Sequence, residues 1–81
     1  MPKLPRDISH KELCKSLEKY DYTITRQTGS HIRLKSNFMG FEHSITIPAH
    51  NPIKIGTLNN IVNDVAKYLK MQREKLIASL F

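Results

Sequence analysis

Apolar residues recur along this chain with two different periods, and the places where the period changes divide it into elements. Leu13, Leu17 and Tyr20, with Cys14 beside them, are spaced for one face of a helix. Ser9, followed three residues later by Glu12, forms a capping box, and Ile8 and Leu13 stand at the flanking staple positions. This predicts a helix over residues 10–20, closed by Asp21 in the left-handed conformation. From Tyr22 the period becomes two. The segments 22–27, 31–36 and 41–48 alternate polar with apolar or β-branched residues, and Pro48 ends the last of them. The period returns to that of a helix with Leu58, Ile61, Val62, Val65 and Leu69, which predicts a helix over residues 57–69. Leu76, Ile77, Leu80 and Phe81 make a further amphipathic piece, with a break expected at Met71–Gln72.

The predicted order is α-β-β-β-α, with an added C-terminal helix. It implies an α+β fold: a three-stranded antiparallel sheet with the helices on one face, the element order of a double-stranded-RNA-binding domain. The expected organisation is an N-terminal arm (1–8), a folded domain (9–69) and a C-terminal helical extension (70–81). Directly opposed residues of an antiparallel pair share a face, so burying Ile24, Leu34 and Ile45 together constrains both hairpin loops. A three-residue loop at 28–30 and a four-residue loop at 37–40 satisfy this. The second loop sets Lys35 opposite Glu42, Arg33 opposite Ser44 and His31 opposite Thr46. The other sheet face would then carry Thr25, Gln27, His31, Arg33, Lys35, Ser44 and Thr46.

Charge gives that polar face a meaning. The 81 residues hold 13 Lys and Arg against 7 Asp and Glu, a net +6. Between Tyr22 and Thr57 the cations are Arg26, Arg33, Lys35 and Lys54, and the only acid is Glu42. A basic surface with a single acid points to a polyanion such as nucleic acid, or to an acidic protein. The ordinary hydrophobic and charged fractions, 40% and 25%, argue against disorder and coiled coil. No apolar run is long enough for a membrane span or a signal peptide. The single cysteine, Cys14, excludes an internal disulfide and reads as a small core residue. A reducing, cytoplasmic setting is expected.

Four histidines could carry chemistry. His31 points away from the core by parity, beside Gly29 and Ser30, and could move a proton near neutral pH; a solvated surface histidine is the plain alternative. His50, two residues past Pro48, is expected near His31 and could act as its partner in acid–base chemistry or belong only to a loop. His43 falls on the apolar parity and reads as structural, and His10 as solvated. These histidines lack a metal-ligand pattern, so neither metal nor cofactor is expected. Gly56 at the start of the second helix leaves amides open to an anion.

Arg26-Gln27-Thr28-Gly29-Ser30-His31, then Ile47-Pro48-Ala49-His50, then Gly56-Thr57-Leu58 with Ile61, closely resemble the HicA family over residues 9–65. Asp21 stands where that family usually has glycine, and the chain runs longer beyond Val65. The resemblance implies a toxin ribonuclease of a type II toxin–antitoxin system, a double-stranded-RNA-binding-like fold, mRNA as substrate and inhibition by a HicB antitoxin. It maps the family's active-site histidine onto His31. The expected activity is metal-independent RNA cleavage, with His31 and His50 in proton transfer. Arg26, Gln27, Gly29, Ser30, Arg33, Lys35, Lys54, Gly56 and Thr57 are the expected RNA contacts. The rival readings are a non-catalytic RNA-binding module and a domain that docks an acidic partner protein.

Overall fold

Ser9 begins the first helix because its hydroxyl accepts the Glu12 amide at 3.1 Å, supplying one of the partners that a helix N-terminus lacks. In the computed structural model, which describes residues 4–81, this helix is α1 (His10–Leu17). It tightens into a 3₁₀ turn (Glu18–Tyr20) that Asp21 closes in the left-handed conformation, φ 62°. The strands β1 (Thr23–Thr28), β2 (His31–Ser36) and β3 (His43–Pro48) follow, then α2 (Ile55–Leu69) and α3 (Arg73–Leu80). The sheet is antiparallel in the order β1-β2-β3. This is the expected α+β architecture. Of the expected N-terminal arm, residues 1–3 lie outside the described residues; Ile8 is buried, and its carbonyl accepts the Ile53 amide at 2.9 Å. No described helix is long and apolar enough to cross a membrane.

The core lies between the sheet and the helices. Ile32, Leu34, Ile45 and Ile47 reach it from alternate positions of β2 and β3, and Leu13, Leu17, Leu58, Val62 and Val65 from α1 and α2. Each such fully buried side chain contributes about 1.5–3 kcal/mol. The helix break falls at Lys70, which adopts φ 57°, and Met71–Gln72 lead into α3. Leu76, Ile77 and Leu80 of α3 join the same core. The Tyr20 hydroxyl meets that of Ser79 at 2.6 Å, tying α3 back to the 3₁₀ turn.

Both hairpins depart from expectation. The first loop has two residues, not three: Thr28 pairs with His31 around Gly29–Ser30. Gly29 takes φ 55°, the positive angle that a two-residue hairpin turn requires. The extra residue appears instead as a β-bulge between Ile24 and Arg26, beyond which Ile24 still opposes Leu34. Ile24 is nonetheless 54% exposed rather than buried, as all six residues of β1 are exposed; it lines an open hollow with Lys11 and Cys14 of α1. Beyond the bulge the faces of β1 are reversed. Arg26 opposes Arg33, and Gln27, expected on the open face, opposes buried Ile32 on the helix side.

The second hairpin is displaced by two residues from the expected register. Leu34 opposes Ile45, Lys35 opposes Ser44, Arg33 opposes Thr46 and His31 opposes Pro48, with residues 37–42 as the loop. The longer loop is held from α2. The Tyr68 hydroxyl donates to the Phe41 carbonyl at 2.6 Å and accepts the Met39 amide at 3.0 Å. A shift of two preserves the faces, so the alternation of β2 and β3 stands. α2 begins at Ile55, two residues earlier than expected, which puts Gly56 inside its first turn.

Candidate functional site

The sheet face turned away from the helices is a groove lined by Thr25, Arg26, Thr28, His31, Arg33, Lys35 and Thr46. Its geometry follows from the pairing. His31 opens β2 immediately after the tight turn, and the turn is fastened from β3's end by the Ala49 amide donating to the Ser30 carbonyl at 2.6 Å. Arg33 and Lys35 follow at every second position, and Arg26 reaches the same face because of the bulge. The Thr25 hydroxyl donates to the Arg33 carbonyl at 3.4 Å.

The groove's charge is largely uncompensated. Among the described residues the carboxylates within reach of a basic side chain are Glu42, 3.3 Å from Lys35, and Asp64, 3.4 Å from the His43 ring, so neither Arg26 nor Arg33 has an acidic partner. The Lys35–Glu42 pair forms although the two are not opposed; with Lys35 facing Ser44, Glu42 reaches it diagonally. His31 is exposed, and its ring has no hydrogen-bond partner among the described residues. An accessible imidazole beside two arginines, a lysine and three threonine hydroxyls can hold an anionic ester and exchange a proton with it.

The structure thus brings Arg26, His31, Arg33 and Lys35 together with Thr25 and Thr46, both expected on this face, and adds Thr28. Gly29 and Ser30 form the turn that carries His31. Gln27 instead lines a hollow with Lys11, Cys14 and Ile24 on the α1 side. Lys54, Gly56 and Thr57 stand at the N-terminus of α2 and are not among the groove-lining residues, nor is exposed His50. The loop that carries His50 is pinned on its far side, because Asn51 Oδ1 accepts the His10 amide at 3.1 Å and lies 2.9 Å from His10 Nδ1. His10, expected to be only solvated, therefore fastens that loop. Thr28 was concealed by its assignment to the turn; the Gly-Ser pair is itself a two-residue hairpin signal that would have released it to the strand.

The remaining histidine is built into the opposite face. His43 Nδ1 lies 2.6 Å from the Tyr22 hydroxyl, and its ring stacks on Tyr68 with centroids 4.6 Å apart. Burial, reinforced by Tyr68 and Asp64, pushes the Tyr22 phenol well above the ordinary tyrosine value. The Cys14 thiol is also raised, by burial and then by Glu18, which suits a core residue.

Among comparisons with known proteins, the family model for the HicA toxin of bacterial toxin–antitoxin systems matches residues 10–70, most of the 81-residue chain. No curated protein and no solved structure matches significantly.

Proposed function

The chain belongs to the HicA toxin family, a toxin of a toxin–antitoxin system with a cognate antitoxin, and on that premise we propose that it is a metal-independent endoribonuclease acting on single-stranded mRNA in the cytoplasm. The observation that carries this reading is the exposed His31 in a groove whose arginines have no acidic partners. His31 takes the proton from a ribose 2′-OH as that oxygen bonds to the adjacent phosphorus. The P–O5′ bond breaks and the departing oxygen is protonated, leaving a 2′,3′-cyclic phosphate and a 5′-hydroxyl. Arg26, Arg33 and Lys35 hold the phosphates of the strand, their positive field offsets from a distance the charge that accumulates on the phosphorane at His31, and threonine hydroxyls orient the strand. His50, which follows the residue bonded to the His31 turn, is the proposed donor to the departing oxygen. RNA long enough to leave the groove would add Lys54, Gly56 and Thr57. The antitoxin, of HicB type, would inhibit by covering this face.

The test is cleavage of end-labelled single-stranded RNA by the purified protein, with the product ends identified. Cyclic phosphate termini that disappear with His31→Ala, while RNA binding persists, are expected. Binding without cleavage by the unmodified protein would make it an RNA-binding module instead. No RNA binding at low salt would favour the docking of an acidic protein.

A further inference from the structure

The groove is a ladder of three rungs, and its charge is concentrated on one of them. Reading across the strands, the first rung is Thr28–His31–Pro48, the second Arg26–Arg33–Thr46 and the third Thr23–Lys35–Ser44. His31, Arg33 and Lys35 are two residues apart on one strand, a step of about 7 Å, comparable to the phosphate repeat of a single nucleic-acid strand. The first rung carries neither lysine nor arginine. Lys35 of the third is held by Glu42. The second rung has two arginines directly opposed in the register and no carboxylate paired with either. Like charges opposite one another destabilise a sheet, and an anion between them removes that cost.

We infer that the Arg26–Arg33 rung is a subsite for the phosphate next to the one being cut. The substrate is then a single strand that presents two successive phosphates, the scissile one at His31 and its neighbour at the arginine pair. This deepens the reading of the groove as a ribonuclease site and rests on it. A dinucleotide, with one phosphate, fills only the His31 rung and is a poor substrate. The β-bulge acquires a purpose here, because without it Arg26 would face the helices and the second rung would hold one cation.

Short chimeric oligonucleotides with a single 2′-hydroxyl fix the point of cleavage. One is a dinucleotide; two are trinucleotides extended by a deoxynucleotide on the 5′ or the 3′ side. One trinucleotide is expected to show a kcat/KM roughly tenfold or more above that of the dinucleotide, as charge-assisted hydrogen bonds to one further phosphate imply. In Arg26→Gln and in Arg33→Gln the ratio of trinucleotide to dinucleotide should fall toward one. Both residues are exposed, and thermal melts will show that the variants fold. No gain with the third nucleotide, or a gain that survives both substitutions, overturns the subsite. If no chimera is cut, the catalytic reading fails by itself, and binding of all-deoxy dinucleotide and trinucleotide at low salt decides the ladder. An affinity gain that depends on the arginines supports it; equal affinities overturn it.

Discussion

The sheet has two faces, and each holds one histidine in a different kind of surroundings. On the covered face His43 is bonded to Tyr22, paired with Asp64 and stacked on Tyr68, and Tyr22 itself is fully buried. On the open face His31 has hydroxyls and cations around it, and its ring has no partner within the described residues. The same imidazole is therefore a structural bracket in one place and an available proton carrier in the other. What separates them is whether hydrogen bonding is completed inside the fold or left for a ligand. The open face also keeps two opposed arginines that a purely structural sheet would avoid.

The sharpest way to break this contrast is His31→Ala. It should lower RNA cleavage by about 10²–10⁴-fold and leave the unfolding free energy within about 0.5 kcal/mol, as for an exposed site without internal contacts. A large loss of stability would show that His31 is structural after all. The covered side should respond in the opposite sense. Leu76 of α3 is fully buried, so Leu76→Ala should cost about 2–5 kcal/mol in a chemical denaturation curve. It should leave the residual folded protein able to cut RNA. A cost near zero would mean that α3, which extends beyond the family match, is an ornament and not part of the core.

How far each face could be read from the sequence follows the same division. The covered side was legible from capping at Ser9 and Asp21 around α1, from helical period over Leu58 to Leu69 of α2, and from strand parity at His43. The open face was legible by parity on β2, where His31, Arg33 and Lys35 alternate with buried Ile32 and Leu34. It failed on β1, because a bulge adds one residue without altering composition, and parity beyond it inverts. Gln27 was thereby assigned to the wrong face, and the opposition of Arg26 to Arg33 was hidden. The displacement of the second hairpin was hidden for another reason. Its loop is anchored by Tyr68, a residue distant in the chain, and apolar alternation is blind to shifts of two.

The bracket around His43 gives a smaller and pH-dependent effect. Tyr22→Phe removes the hydroxyl that meets His43 and should cost about 0.5–1.5 kcal/mol near neutral pH. In the unmodified protein the fold favours the neutral Tyr22 phenol, whose pKa is raised chiefly by burial. That contribution is complete below the ordinary tyrosine value near pH 10 and is lost as pH rises above it. Denaturation curves taken at increasing alkaline pH should therefore fall steeply for the unmodified protein and less steeply for Tyr22→Phe. Parallel declines would mean that Tyr22 ionises without regard to the fold, and that the covered face is less closed than its hydrogen bonds imply.

The smallest effect lies at the margin of the open face, where Lys35 meets Glu42. The side chains are 39% and 56% exposed, and pairs so well solvated contribute about 0–1 kcal/mol. Glu42→Gln should consequently leave the melting curve almost unchanged. Its consequence for RNA should be measurable, because it removes the one acid beside the groove and frees Lys35 for a phosphate. Affinity for a single-stranded oligonucleotide long enough to span all three rungs should rise. The slope of log affinity against log salt should steepen by up to about 0.7, the value for one further phosphate contact on a single strand. A stability loss with no change in salt dependence would place Lys35 with the structural pairs of the molecule. The boundary between the two kinds of surroundings would then run between Arg33 and Lys35.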